Sequence, residues 1–332
     1  MILPRSSLQP LPAHAILRDP NWHIWGGGMV RTDDGVCHLL IARWRKEFGF
    51  AAWVTHSEIA HATAIEPTGP YTIRGTVLGR RSPGFWDSDN AHNPMPLAHG
   101  GKYYLYYTGN YGNGDWWTHR NHQRLGVAVA DHPAGPWLRR DTPLVDVTPG
   151  SWDHQITACP IVTAGADGRF YMVYKGVANG PQPFGGQVRM GLAIAERPDG
   201  PFVKQPGNFF DAPGAKFPSD DNFVWHAHGA FHAIVKDYGG HFQRHAKEAL
   251  VLFNSPDARH WQPASPDPLL SLFELHWADG RIVKPLARLD QPQLWHNAAG
   301  QPAILFLAVK EHDDKNDTDV SYNVHVPLRV QE

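Results

Sequence analysis

The chain has 332 residues, with 30 Lys and Arg against 32 Asp and Glu, a formal net charge of −2. That balance leaves no basic stripe for a polyanion and argues against a nucleic-acid partner, while 42% hydrophobic against 19% charged residues excludes a disordered chain. No run of 18 apolar residues occurs, and MILPRSSLQPLPAHAILRDP lacks the apolar core of a secretion signal, so the expectation is a soluble, cytoplasmic protein without a membrane partner.

With 32 Gly and 29 Pro, the chain is biased toward turns and short strands. Five similar cassettes follow one another: GGMVRTDDGVCHLLIAR from Gly27, NPMPLAHGGKYYLYYTG from Asn93, CPIVTAGADGRFYMVYKG from Cys159, DNFVWHAHGAFHAIVKD from Asp221 and QPQLWHNAAGQPAILFLAV from Gln291. Each reads as a strand, a turn on Gly35, Gly101, Gly168, Gly229 or Gly300, and an alternating aromatic and aliphatic strand. The pivots are spaced 66, 67, 61 and 71 residues apart. A second marker follows: IAHATAIEPTGPY, LGVAVADHPAGPW, MGLAIAERPDGPF and the weaker ALVLFNSPDARHW, each a third strand, a turn and an aromatic opening a fourth. Helical spacing is missing. The pattern predicts an all-β, single-domain chain over 1–332, a five-bladed β-propeller with four antiparallel strands per blade.

In such meanders the Gly pivots and Gly-Pro turns share one face. The opposite face receives the long segments 43–57, 109–123, 176–188 and 237–247, with Trp44, Trp116 and Trp117 as candidate sugar-stacking groups. The entries to the five first strands converge on a central funnel: Trp25-Gly26, His92-Asn93, Ala158-Cys159, Asp220-Asp221 and Asp290-Gln291, with Asp19 just before the first. Carboxylates in an aromatic funnel suit glycosidic cleavage, one protonating the leaving oxygen and another activating water or attacking. They equally suit strand capping and ion pairing. Arg43, Lys175 and Lys236 all end second strands, where they would bind sugar hydroxyls, a carboxylated sugar or a phosphate, or hold the carboxylates ionised. Glu58 opens a third strand on the same face.

No metal site or cofactor is expected. Cys37 and Cys159 form no CxxC, and His56 and His61 in HSEIAH lack the HExxH order. His226 and His228 share a strand face without a third ligand, and DDKNDTD (313–319) misses the Gly and Glu of a calcium loop.

Arg18-Asp19-Pro20, the repeated cassette and the Gly-Pro-aromatic turns together make the chain resemble the five-bladed propeller glycoside hydrolases of families 43 and 117, over nearly its whole length. The resemblance implies a general base at Asp19. The family 43 pKa-tuning Asp has no match in AHNP (91–94), and its acid Glu falls on Ala158. The acid is then expected from Asp220 or Asp221, or from His92 by analogy with family 117. The related fructan hydrolases read DPNG and ECP where this chain has DPNW and ACP.

The leading expectation is an exo-acting, inverting glycoside hydrolase on plant or algal oligosaccharides, with Trp25, Asn93 and Asp290 among the binding residues. A glycoside phosphorylase with a phosphate pocket of Arg43, Lys175 and Lys236 is the second reading, and a non-catalytic carbohydrate-binding propeller the third.

Overall fold

The computed structural model describes residues 3–244, 248–271, 274–284, 286–312 and 321–329; the DDKNDTD stretch lies outside them. Five antiparallel four-stranded units follow in chain order. Blade 1 holds Trp22–Arg31, Cys37–Arg45, Glu58–Ala64 and Thr72–Leu78, and blade 2 holds Asn90–His99, Lys102–Asn110, Arg124–Ala130 and Leu138–Arg139. Blade 3 holds Ile156–Ala164, Phe170–Val177, Val188–Ala195 and Val203–Lys204, and blade 4 holds Ser219–Ala227, Ala230–Asp237, Ala249–Ser255 and Gln262–Pro263. Blade 5 is built from Arg288–His296, Pro302–Lys310 and Ser321–Pro327, and its outer strand is Ile16–Leu17 from the other end of the chain. The pairs Ile16–Val324 and Leu17–Asn323 therefore close the ring. No helix among the described residues is long and apolar enough to cross a membrane.

Blades stack face to face, so a middle strand is covered on both sides. Cys37–Arg45 is buried at every position but the last, whereas the outer strand Thr72–Leu78 alternates exposed and half-buried residues. That explains why second strands read as nearly continuous apolar runs and outer strands do not. Each fully buried Leu or Ile, such as Leu39 and Ile41, contributes about 1.5–3 kcal/mol through removal from water.

A second repeat went unread in the sequence. PGFWD (83–87) and PGSWD (149–153) precede blades 2 and 3. Trp86 lies over Tyr107 at 5.7 Å and Trp152 over Tyr174 at 5.3 Å, each against two strand glycines. A Cβ on Gly191 would come within 2.1 Å of Trp152. Asp87 and Asp153 accept the hydroxyl protons of these tyrosines at 2.6 and 3.0 Å, which makes this motif an internal brace.

One irregularity positions the site. Every innermost strand breaks register at the same level: Ile24/Gly27, His92/Met95, Ala158/Ile161, Asp220/Phe223 and Asp290/Gln293. In four blades the bulged residue is left-handed: Asn93 at φ 51°, Cys159 at 54°, Asp221 at 40° and Gln291 at 55°. Successive side chains of a regular strand face opposite ways; a bulge re-aims one of them. Both members of His92-Asn93, Ala158-Cys159, Asp220-Asp221 and Asp290-Gln291 thereby line one cavity. The register puts Trp25, not Gly26, in line with Asn93, one residue earlier than the cassette alignment implies. Gly26 is needed next to it, since a Cβ there would lie 2.4 Å from Gln291 Cβ.

Candidate active site

The bulges open onto a cavity of about 260 Å³ on the long-loop face. Blades 1 and 2 supply an aromatic wall. Trp25, Trp44, Phe50, Trp53 and Trp116 line it, with Trp53 and Trp116 carried on the short helices Trp53–His56 and Trp116–Asn121. Trp44 is only 1% exposed, and it packs on Phe50 at 5.5 Å as part of the wall's foundation. Trp116 is half-buried and anchored by its Nε1–H to Ala51 O at 3.0 Å. Trp117 is not in the lining; it meets Trp116 edge-on at 4.8 Å from outside.

Blades 3 to 5 supply a charged wall. Lys175 Nζ donates to Asp220 Oδ1 at 2.7 Å, and Lys236 Nζ donates to Asp290 Oδ1. Asp221 lies between these two ion pairs, and Gln291 Nε2 donates to its Oδ1. The Gln291 backbone N–H makes a longer contact to Asp221 Oδ2 at 3.4 Å. Burial, then the Asp220 charge, then that of Asp290, push the Asp221 carboxyl up to about 8 against the pull of both lysines. The arrangement keeps Asp221 protonated at neutral pH. Both lysines hold their protons more tightly than usual: burial weakens them, but for Lys175 the charge of Asp220 and for Lys236 that of Asp290 outweighs it.

His92 lines the cavity, yet both ring nitrogens are engaged. Nδ1 lies 2.6 Å from Asn90 Oδ1, and Gln123 Nε2 donates to Nε2 at 3.0 Å. Burial, then Lys175, lower it to about 3. With both ring nitrogens engaged, the neutral imidazole offers no spare N–H to a ligand in this arrangement.

Four further expected residues lie outside the lining: Lys236, buried against Asp290, and Asp19, Arg43 and Glu58. Asp19 sits on the link between Ile16–Leu17 and Trp22–Arg31, and its Oδ1 accepts the Asn21 N–H at 2.8 Å. The Asp-Pro step belongs to the ring closure rather than to the entry of blade 1. Arg43 and Glu58 stand opposite one another on neighbouring strands and form a 2.8 Å ion pair, with Trp22 under the guanidinium at 4.0 Å. Their charges satisfy each other away from the funnel. The three-cation phosphate pocket is therefore not assembled.

Cys159 Sγ and oxygens of Asp220 and Asp221 all lie within 4.8 Å of one another. Burial pushes the Cys159 thiol up to about 12, against the pull of Lys175. The Lys175 ammonium supplies positive charge at this cluster through its bond to Asp220.

Sequence reasoning passed over Arg120, Gln123 and Arg288, which line the cavity along with Tyr238 and Gln291. Tyr238 stacks on Phe217 at 4.8 Å. Arg120 is 7% exposed, with its guanidinium 5.1 Å from the Phe184 ring. Burial pulls it down to about 10, against the attraction of Asp220, and it stays charged at neutral pH.

No protein-family model matches the chain, and no curated protein matches it in sequence. Solved structures do share its fold. Zg3597, a family 117 glycoside hydrolase produced by the marine bacterium Zobellia galactanivorans, aligns with a TM-score of 0.66 at 16% identity over 96% of this chain and 91% of its own. BT0996, solved as an RGII complex, aligns at 0.68 and 14% identity over 97% and 92%. The alpha-L-arabinofuranosidase from Lactobacillus brevis aligns at 0.62 and 11% identity over 100% and 95%. The five-bladed architecture expected from the sequence is thus that of known glycoside hydrolases.

Proposed function

We propose that the protein is an exo-acting glycoside hydrolase that removes a terminal sugar from an oligosaccharide by inversion. The observation that carries this reading is Asp221, a buried carboxyl kept protonated between two lysine-paired carboxylates at the floor of a half-aromatic cavity. Such a pair of environments is how one site holds an acid and a base at the same pH.

Asp221 protonates the leaving oxygen. Its Oδ1 is taken by Gln291, so the proton sits on Oδ2, where the contact from the Gln291 backbone is long. Asp290, ion-paired with Lys236, draws a proton from the attacking water. Asp220 stands too near to act as that base. Its oxygen lies within 4.8 Å of Asp221, whereas inverting pairs stand about 6.5–9.5 Å apart. Its role is to raise Asp221, on which it exerts the larger push. Apolar faces of Trp25, Trp53 and Trp116 suit sugar C–H groups. About 260 Å³ is small among ligand clefts, which run about 300–1,000 Å³, and favours one terminal sugar over a threaded chain. Phosphorolysis loses its support, since Lys175 and Lys236 are committed to carboxylates and Arg43 lies elsewhere.

The test is hydrolysis of plant and algal oligosaccharides followed by proton NMR of the first product formed. Release of a single terminal sugar with inverted anomeric configuration, lost in Asp221→Asn and Asp290→Asn, is expected. Retention, or full activity in both variants, would refute the assignment.

A further inference from the structure

Lys175 and Lys236 are neutralised by Asp220 and Asp290. Arg120 is different. Although 7% exposed, it forms no ion pair within 4.0 Å among the described residues. Its Nη1 donates to Phe184 O at 2.7 Å and to Asn121 Oδ1 at 2.9 Å; Nε and Nη2 have no protein hydrogen bond among those residues. These two N–H groups form the edge that grips a carboxylate with two parallel bonds. The guanidinium is held in place between Phe184 and Trp117, at 5.1 and 5.9 Å, and the residue lines the cavity.

A buried, unpaired cation is costly and persists only where something compensates for it. Asp220 attracts it from a distance but forms no ion pair with it within 4.0 Å, and its Oδ1 is already bonded to Lys175. With Asp221 protonated and the two lysine pairs balanced, Arg120 adds a positive charge to the cavity that no described side chain cancels by contact. The missing partner must arrive with the ligand. We infer that Arg120 anchors a carboxylate carried by the substrate's terminal sugar, so that the site selects an acidic sugar over its neutral counterpart. This deepens the hydrolase reading and rests on it only for the word substrate; the binding claim stands separately.

The test is calorimetric titration of the full-length protein with D-galacturonate and D-glucuronate, each against galactose and glucose, with inorganic phosphate as a control. At least one uronate is expected to bind about ten- to a hundredfold more tightly than its neutral partner, the range of a charge-assisted bidentate contact. Arg120→Met, which keeps the apolar stem, abolishes that preference without lowering the melting temperature of the free protein, because a buried unpaired charge is removed. Arg120→Lys retains the charge and part of the preference. Equal binding of acidic and neutral sugars, no uronate binding at all, or a preference that survives in Arg120→Met overturns the inference. So does phosphate binding through Arg120 with the uronates excluded, which would assign the edge to a free oxyanion. Uronate binding through Arg120 without cleavage of any glycoside would leave this inference standing and defeat the hydrolase reading instead.

Discussion

Replacing Asp221 by Asn separates catalysis from stability, because the two respond in opposite directions. Asn keeps the shape and can still accept from Gln291 through its oxygen, but it has no acidic proton to give. Loss of general acid catalysis costs about 10²–10⁴-fold in turnover. The folded protein, however, is relieved of a carboxyl that must take up a proton to fold below about pH 8, or be buried charged above it. Asp221 ionises near its ordinary value of 3.8 when unfolded and at about 8 when folded. A carboxyl raised in this way binds its proton more tightly in the native state, so its contribution to stability falls as pH rises from about 4 to 8 and is constant beyond. At about 1.36 kcal/mol per unit, the interval sets a ceiling of roughly 5 kcal/mol above pH 8. Relaxation and the loss of the carboxyl's own hydrogen bonds reduce that, and a gain of about 1–3 kcal/mol, or a few degrees in melting temperature, is expected. Differential scanning calorimetry of wild type and Asp221→Asn from pH 5 to 9 provides the comparison. The melting temperatures should diverge with rising pH, with the variant the more stable. Parallel curves, or a variant that melts lower at pH 8, would show that Asp221 is ionised in the folded protein and is not the acid.

Asp19→Asn should keep turnover near that of wild type, since Asp19 lies outside the cavity and an Asn oxygen can accept the same Asn21 N–H; a hundredfold loss in a steady-state assay would return the base to Asp19. Trp116→Ala should weaken sugar binding with little change in melting temperature, whereas Trp44→Ala, at a site 1% exposed, should cost about 3–5 kcal/mol of stability, and denaturant titration beside ligand titration distinguishes the two. His61, His296 and His325 are each lowered to about 4, all chiefly by burial. Depressed histidines stay neutral in the fold while the unfolded chain takes up protons, so stability should be full above about pH 6.5 and fall as pH drops toward 4, as denaturation midpoints across that range will show.

The architecture was legible because the repeat is written in features that survive divergence: glycine pivots with positive φ and two-sided burial of the middle strands. What escaped had no local pattern. Ile16–Leu17 is a strand only because blade 5 lacks an outer edge, and two residues carry no periodicity. Recognising that closure would have placed Asp19 on the link between blade 5 and blade 1 rather than in the cavity lining. The three basic residues that end second strands look alike in sequence, yet their partners are set by register. Arg43 faces Glu58 across the sheet and is satisfied there. Lys175 faces Ala158 and Met190, finds no acid in its own blade and turns to Asp220 of the next. Lys236 turns likewise to Asp290 of blade 5. Arg120 stands on a six-residue helix inside a loop, where only the folded structure reveals that its charge is unmatched.

The five bulges make five equivalent places for a funnel side chain, so the chemistry depends on which places carry carboxylates and how close together they fall. The family resemblance expects acids spread over blades 1 to 3; here those blades present Ile24-Trp25, His92-Asn93 and Ala158-Cys159, and the acids are confined to the adjacent pairs Asp220-Asp221 and Asp290-Gln291. Crowding three carboxyls onto one wall would be strongly repulsive if all were ionised. Two lysines offset two of them, and the third lowers the remaining repulsion by keeping its proton. The raised Asp221 carboxyl is thus a consequence of the crowding and needs no separate device. The same concentration frees the opposite wall for tryptophan. It also leaves Arg120 as a cation that no described carboxylate meets in an ion pair within 4.0 Å.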